Sequence, residues 1–399
     1  FGQSQKVPAE FAALANGAMA HALDFEDAHE LTRTHPNAAS IPAALAIAET
    51  IGNVSGENFI TAIAIGCDIA CRLILASDPN DDGGRRDGFY PPAIVGAFSA
   101  TAAAGKLLNL NTEQMLDAFS LTLGRVSFSA EVIDSPHSHL RAIREAFGAQ
   151  VAVSSVLLAK RGVKGFDRPF EGRSGYFNMF GSGWFNSDKL VSNLGESYYG
   201  DTISFKAWPS CRASHAYIQA IQQLKSDNNF SLQEIKSISA NIIPQDTMLV
   251  EPENIRKHPQ TAIDAKFSLP FTIASALTED NVTLSSFSPE ALNDKTVLNL
   301  TSKVKYQIDA QKAKPRSQGG GDLVSITFNN GKTLKQGIDH VYGSPSLPMP
   351  KSELVQKFLH CASLAPNPLA QKDLKNLANR ILHLEQESNT GSIMTALTS

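Results

Sequence analysis

Six acid and imidazole side chains crowd one short stretch of this sequence: His21, Asp24, Glu26, Asp27, His29 and Glu30, with His35-Pro36 just beyond. Imidazoles titrate near neutral pH and carboxylates orient or charge them, so such a cluster suits acid/base work. His21 and Asp24 are three residues apart, and a helix persisting through both would set them on one face, with Asp24 orienting the imidazole. The same residue types are ligands for a divalent metal, but the spacing fits no established metal motif. The plain alternative is a solvated loop after a helix.

Two further clusters carry chemistry-bearing residues. Ser135-Pro-His-Ser-His139 leads into Arg141 and Arg144, guanidinium groups near the expected start of a long helix, where fork geometry and helix dipole both favour an anion such as a carboxylate. The plain reading there is a surface helix start with ordinary cations. In Trp208-Pro-Ser-Cys-Arg-Ala-Ser-His215, Cys211 and His215 are four apart and would touch if helical, although a buried structural thiol is the commoner situation. Hydrolase elbows, phosphate-binding glycine loops, zinc motifs and dinucleotide fingerprints are all missing from the sequence, so hydrolase, nucleotide, zinc-finger and zincin readings have no support.

The elements that must position these residues fall into two textures. From Val7 to about Gly162, Ala/Leu/Ile segments at helical spacing (Phe11, Leu14, Ala15, Ala18, Met19) alternate with short Gly/Pro/Asn breaks, which predicts a helix bundle. Ser55 reads as a helix start, as does Asn111 with Gln114 three residues on, and a long helix is expected from about His139 to Arg161, ending at Gly162. After about Phe205 strand-like runs appear at Ile235–Ile243, Val304–Ile308 and Leu323–Phe328, with Asn330-Gly331 as a hairpin turn. Between Pro350 and Leu384 an amphipathic helical pattern returns. The expected fold class is therefore mainly α with an α+β second domain. Residues 1–204 and 349–399 would form the helical domain and 205–348 the inserted α+β domain.

The 399 residues suffice for two cores, and 42% hydrophobic with 19% charged residues is an ordinary globular composition. A net charge of -4 without dense basic runs gives no footprint for nucleic acid. The most apolar stretch, Phe59 to Ala76, is broken by Asp68 and Arg72 and reads as a core helix, not a membrane span. Cys67, Cys71, Cys211 and Cys361 are scattered among apolar neighbours and read as reduced buried thiols, which suits the cytoplasm. The chain opens on Phe1 without an initiator Met, as a fragment or a processed chain would.

Several of these stretches resemble the MmgE/PrpD family, which includes 2-methylcitrate dehydratases, cis-aconitate decarboxylases and iminodisuccinate epimerases. They are Asn16–Asp27 with His35-Pro36 and Pro42-Ala-Ala-Leu45, Phe170-Glu-Gly-Arg173 with Gly175, Trp208–His215, and Asp264-Ala-Lys-Phe-Ser-Leu-Pro270, in the family's order along the whole chain. The resemblance implies a large helical domain, a smaller α+β domain, a homodimer, and a site between the domains. It matches Asp24, His35, Arg141 and His215 to the family's catalytic positions, and His21 and Tyr90 to positions used by the epimerase branch. Arg141 stands where a catalytic Lys is usual and Tyr90 where dehydratase-like members tend to have His. An Arg stays protonated and cannot act as a base, so Arg141 is expected to bind a carboxylate, with Arg212 and Lys266.

Dehydration, decarboxylation and epimerisation of small polycarboxylic acids all pass through carbanion-like species beside a carboxylate, so one scaffold can host all three. On this reading His215 or His35 moves the proton at carbon and Asp24 orients His21 or His35. Tyr90 is then the leaving-group acid. A 2-methylcitrate dehydratase-like lyase leads, with an epimerase of an iminodisuccinate-like acid or a cis-aconitate decarboxylase-like lyase as alternatives. The leading reading uses no cofactor and no metal; a metal-dependent hydro-lyase, which a chelator would inactivate, is a third option, and an inactive paralogue serving as a binding partner is the non-enzymatic alternative.

Overall fold

The computed structural model describes residues 5–77, 88–135, 138–181, 183–309 and 323–397. Pro136 and His137 of the second cluster and the Gly319–Gly321 tract lie outside them. The fold is mainly helical with an α+β part. Helices of nine residues or more are numbered here in chain order.

The helical part is built from α1 (Ala9–His21), α2 (Pro36–Ile51), α3 (Gly56–Ala76), α4 (Pro91–Leu107), α5 (Thr112–Leu123) and α6 (Leu140–Lys160). Local chemistry fixes their starts. The Ser55 side chain accepts the Asn58 N–H at 3.3 Å, and Asn111 and Gln114 cap one another reciprocally, as their spacing predicts. Proline opens α2 and α4, where its fixed φ suits the first helical turn and its missing N–H costs nothing. This places His35 and Tyr90 at the N-caps of two packed helices. Alanine-rich faces of α2 and α4 bury Ala43, Ala44, Ala100 and Ala103 against Val153 and Val156 of α6. The apolar α3 is a core helix of this bundle, burying Phe59, Ala62, Ala70, Leu73 and Ile74.

The α+β part has its own core. A four-stranded sheet runs in the order β4 (Val304–Ile308), β3 (Ile235–Ile242), β5 (Val324–Phe328), β6 (Thr333–Gln336), with β3 and β4 parallel and the other pairs antiparallel. The expected hairpin joins β5 and β6 through Asn330-Gly331, where Gly331 takes φ +85°. α7 (His215–Asp227) lies on the sheet and α8 (Leu269–Thr278) packs on α7, and Ile218, Ile221, Ile238, Phe271 and Ile326 share one core.

Further on, α9 (Lys295–Lys303), α10 (Lys351–Ser363) and α11 (Gln371–Leu382) complete the long helices. The chain then returns to the bundle. Gly56 N–H donates to the Glu387 carbonyl at 2.8 Å, and any Cβ on Gly56 would overlap the Leu384 carbonyl, so glycine alone permits this approach. Cys361 departs from the reading of four buried thiols: it is half-exposed on α10, while Cys67, Cys71 and Cys211 are buried.

Two three-residue strands join the two parts: β1 (Asp27–His29) pairs antiparallel with β2 (Ile203–Phe205), with Asp27 opposite Phe205.

Candidate active site

The sequence suggests a helix running through both His21 and Asp24. The structure differs: α1 ends at His21, and Asp24 adopts the left-handed conformation at φ +51°. The turn then feeds β1, and the β1–β2 pairing brings Lys206, the residue after β2, against it. The fully buried Lys206 ammonium donates to Asp24 Oδ1 at 2.8 Å, to the Asp24 carbonyl at 3.2 Å and to Glu26 Oε1 at 3.2 Å. Burial opposes the charge on each of these groups, but their mutual attraction outweighs it: Lys206 is raised, and Asp24 is lowered chiefly by the Lys206 charge. Glu26 is held well below the usual carboxylate range against the cost of burial, by His21, Lys206 and His35.

The residue that orients the imidazoles is Glu26 and not Asp24. Glu26 Oε1 lies 2.8 Å from His21 Nδ1 and 2.8 Å from His35 Nδ1, and His35 Nδ1 is also 2.8 Å from the Asp27 carbonyl. Every partner of these Nδ1 atoms is an acceptor, so both rings carry hydrogen on Nδ1 and leave Nε2 for other chemistry. Burial and the Arg144 charge push His21 down to about 4 against the raising effect of Glu26, so this ring is neutral at physiological pH. His35 differs in access, since it lines a cavity.

That cavity, of about 160 Å³, lies between the helical and α+β parts. Asp24, His35, Tyr90 and Glu30 contribute from one side and Arg212, Met248 and Phe267 from the other. Arg144 sits behind Tyr90, its guanidinium carbon 5.2 Å from the ring centroid. Two residues that line the cavity carry a buried polar atom with no protein partner, Asp24 Oδ2 and Arg212 Nη2, and His21 Nε2, Arg141 Nε and Arg144 Nη2, which do not line it, are unpaired as well. Buried polar atoms are normally satisfied, so unpaired donors and acceptors around a cavity mark where a polar ligand or water fits.

The structure separates the other expected site residues. Arg212 reaches the cavity, fixed by Glu30 Oε1 at 2.7 Å and the Tyr342 carbonyl at 2.8 Å. His215 stands behind it with both ring nitrogens engaged: Arg212 Nη1 donates to Nδ1 at 3.1 Å, and Nε2–H donates to the Ser210 carbonyl at 3.3 Å. Burial and the neighbouring Arg212 charge hold His215 well below its ordinary value, so it supports Arg212 and does not present a nitrogen to the cavity. Lys266 also points elsewhere, donating to the carbonyls of Leu23 at 2.9 Å and Pro209 at 2.8 Å. The Arg141 guanidinium lies 3.4 Å over the Phe267 ring, one layer behind the cavity wall that Phe267 forms. Cys211 and His215 do not pair, because Cys211 precedes the helix that His215 begins.

His21, Asp24 and Glu26 offer donor atoms within 4.8 Å of one another, close enough to hold a metal ion. A cation is already provided there by the Lys206 ammonium, which a divalent ion would have to displace from both carboxylates.

Family models match both parts of the chain: the MmgE/PrpD N-terminal domain over residues 1–187 and the MmgE/PrpD C-terminal domain over residues 208–381. The chain belongs to the MmgE/PrpD family. It is 24% identical to the human cis-aconitate decarboxylase over 407 residues, covering 98% of this chain and 80% of that one. It is 25% identical to the mouse cis-aconitate decarboxylase over 373 residues, covering 90% and 72%. A cis-aconitate decarboxylase of Aspergillus terreus is 23% identical over 420 residues, covering 99% and 82%.

Within this MmgE/PrpD site, Lys206 is the residue that sequence reasoning missed. In Ile203-Ser-Phe-Lys-Ala-Trp208 it looks like a surface lysine at the end of a strand. The available signal was the excess of carboxylates at 24–30, which need a cation from elsewhere in the fold once they are buried.

Proposed function

We propose that this chain is a lyase that breaks a bond next to a carboxylate of a small polycarboxylic acid, by acid/base chemistry and without a metal, and that its substrate resembles cis-aconitate. The observation that carries the reading is His35: its Nδ1–H is spent on Glu26 and Asp27, its Nε2 is free, and the ring lines a cavity that Arg212 also enters. The similarity to cis-aconitate decarboxylases supports the decarboxylating form of the reaction.

In that form Arg212 holds a carboxylate through its unpaired Nη2. The carbon–carbon bond to another carboxylate breaks, CO₂ leaves, and the electron pair stays on carbon, delocalised toward the remaining unsaturated acid. Protonated His35 then delivers a proton from Nε2 to carbon and is reprotonated by solvent. Glu26 stabilises the imidazolium before the transfer and orients the neutral ring after it through Nδ1–H, and the Asp24–Lys206 pair fixes the turn that carries Glu26. Tyr90 favours a second reading, a dehydratase like those acting on 2-methylcitrate, because its phenol lines the same cavity and would serve as the acid for a departing hydroxide.

The test is a panel of cis-aconitate, citrate, 2-methylcitrate and iminodisuccinate, with EDTA present, followed by CO₂ release and by ultraviolet absorbance of the conjugated double bond. CO₂ from cis-aconitate supports the first reading and absorbance change with citrates the second. Racemisation of iminodisuccinate alone would replace both with an epimerase.

A further inference from the structure

Three lysines from distant parts of the chain converge on the carbonyls of three consecutive residues. Lys266 donates to Leu23 at 2.9 Å, Lys206 to Asp24 at 3.2 Å, and Lys357 to Phe25 at 2.6 Å. Lys357 also donates to the carbonyl of Lys206 at 2.8 Å, and its ammonium lies 3.8 Å over the Phe25 ring. One side chain therefore ties together the backbone on both sides of the Asp24–Lys206 ion pair.

The turn needs such restraint. Asp24 sits at φ +51°, in the left-handed region that aspartate reaches more readily than most side chains but still at some cost in energy. Left alone, the turn would relax, and Asp24 Oδ2 and the Glu26 carboxylate would move with it. Lys357 comes from α10, a helix with no fully buried residue, so its polar contacts weigh heavily in how it docks. Glu353, one turn earlier, accepts the Tyr342 hydroxyl, and the Tyr342 carbonyl in turn accepts Arg212 Nη1. Through these two residues α10 holds both the turn carrying the acid/base cluster and the segment fixing the carboxylate-binding arginine. Desolvation lowers Lys357 to about 8, consistent with an ammonium drawn into the protein for a structural purpose.

We infer that Lys357 is a positioning residue for the reaction: from the surface helix α10 it locks the left-handed Leu23–Phe25 turn in the geometry that lets Asp24, Lys206 and Glu26 work. This rests on the proposed role of the Asp24–Glu26 cluster. It touches no substrate itself, so its loss lowers kcat and leaves KM nearly unchanged.

The test compares Lys357→Met, Lys357→Arg, Lys357→Ala and Asp24→Asn in the full chain, with thermal unfolding run beside kinetics. Lys357→Met is expected to stay folded and lose roughly 10²-fold in kcat, the scale of a small misplacement of reacting groups. Lys357→Arg keeps most of the activity, and added propylammonium restores part of it to Lys357→Ala. A folded Lys357→Met with wild-type kcat overturns the inference while leaving the site intact, provided Asp24→Asn is inactive. Loss of kcat only in proportion to unfolded protein, unrescued by the amine, overturns it as well. Full activity in Asp24→Asn overturns the reading of the cluster on which it rests.

Discussion

Lys206→Met is expected to abolish turnover and to destabilise the fold by about 3–5 kcal/mol, the scale seen when one partner of a buried ion pair is removed. Lys206 is fully buried and is the cation bridging Asp24 and Glu26, so methionine of similar volume leaves two carboxylates in a dry environment facing each other. The sign of the pH dependence follows. In the wild type these carboxylates titrate below their unfolded values, so their contribution to stability is present above the unfolded pKa and is lost as pH falls through the depressed folded one. In the variant Glu26 keeps His21 and His35, but Asp24 loses its chief opposing charge and burial raises it, so protonating Asp24 recovers stability as pH falls from neutral. The difference in Tm between variant and wild type should therefore shrink from pH 7 to pH 5. Adding Asp24→Asn to Lys206→Met removes one uncompensated charge and recovers part of the lost stability without recovering activity, a coupling expected of residues in direct contact. Equal Tm differences at both pH values would contradict the buried-pair account.

His35→Gln is the second large effect. Proton transfer by a positioned side chain contributes typically about 10²–10⁴-fold, so kcat should fall by that factor. Glutamine is uncharged and retains a hydrogen-bond donor for Glu26, and His35 sits at the cavity edge, so Tm should change little and KM less than kcat. His21→Gln should behave differently. His21 is fully buried and is already neutral near pH 7, so its replacement disturbs the orientation of Glu26 and lowers stability together with activity. If His21→Gln proved the more damaging to kcat at unchanged stability, the proton would pass through the wrong imidazole in this account.

Much of the fold was legible because its signals are local. Ser55 and the Asn111/Gln114 pair cap helices within a few residues of themselves, and Asn330-Gly331 makes a turn from its own backbone preferences. Asp24, His35 and Tyr90 were legible through the resemblance and Arg212 as an expected carboxylate-binding cation, and all four line the cavity. What escaped depends on contacts between segments far apart in the chain. Lys206 meets Asp24 across 182 positions, through a ladder of three-residue strands too short to announce itself, and Lys357 of α10 meets Phe25 across 332. Spacing suggested that Asp24 orients His21, but the chain leaves α1 at His21, and the reversal at Asp24 hands that task to Glu26. His215 and Lys266 carry the right functional groups, yet each is consumed by neighbouring carbonyls and by Arg212, a fate no spacing rule reveals.

The most direct test of proton transfer at carbon is turnover of cis-aconitate in heavy water with EDTA present, read by proton NMR of the product. The account predicts one solvent-derived deuterium per turnover at a carbon next to a carboxylate, and its loss in His35→Gln along with turnover. Product free of deuterium, or turnover that vanishes with the chelator and returns with a divalent ion, would contradict a metal-free imidazole acid acting at carbon.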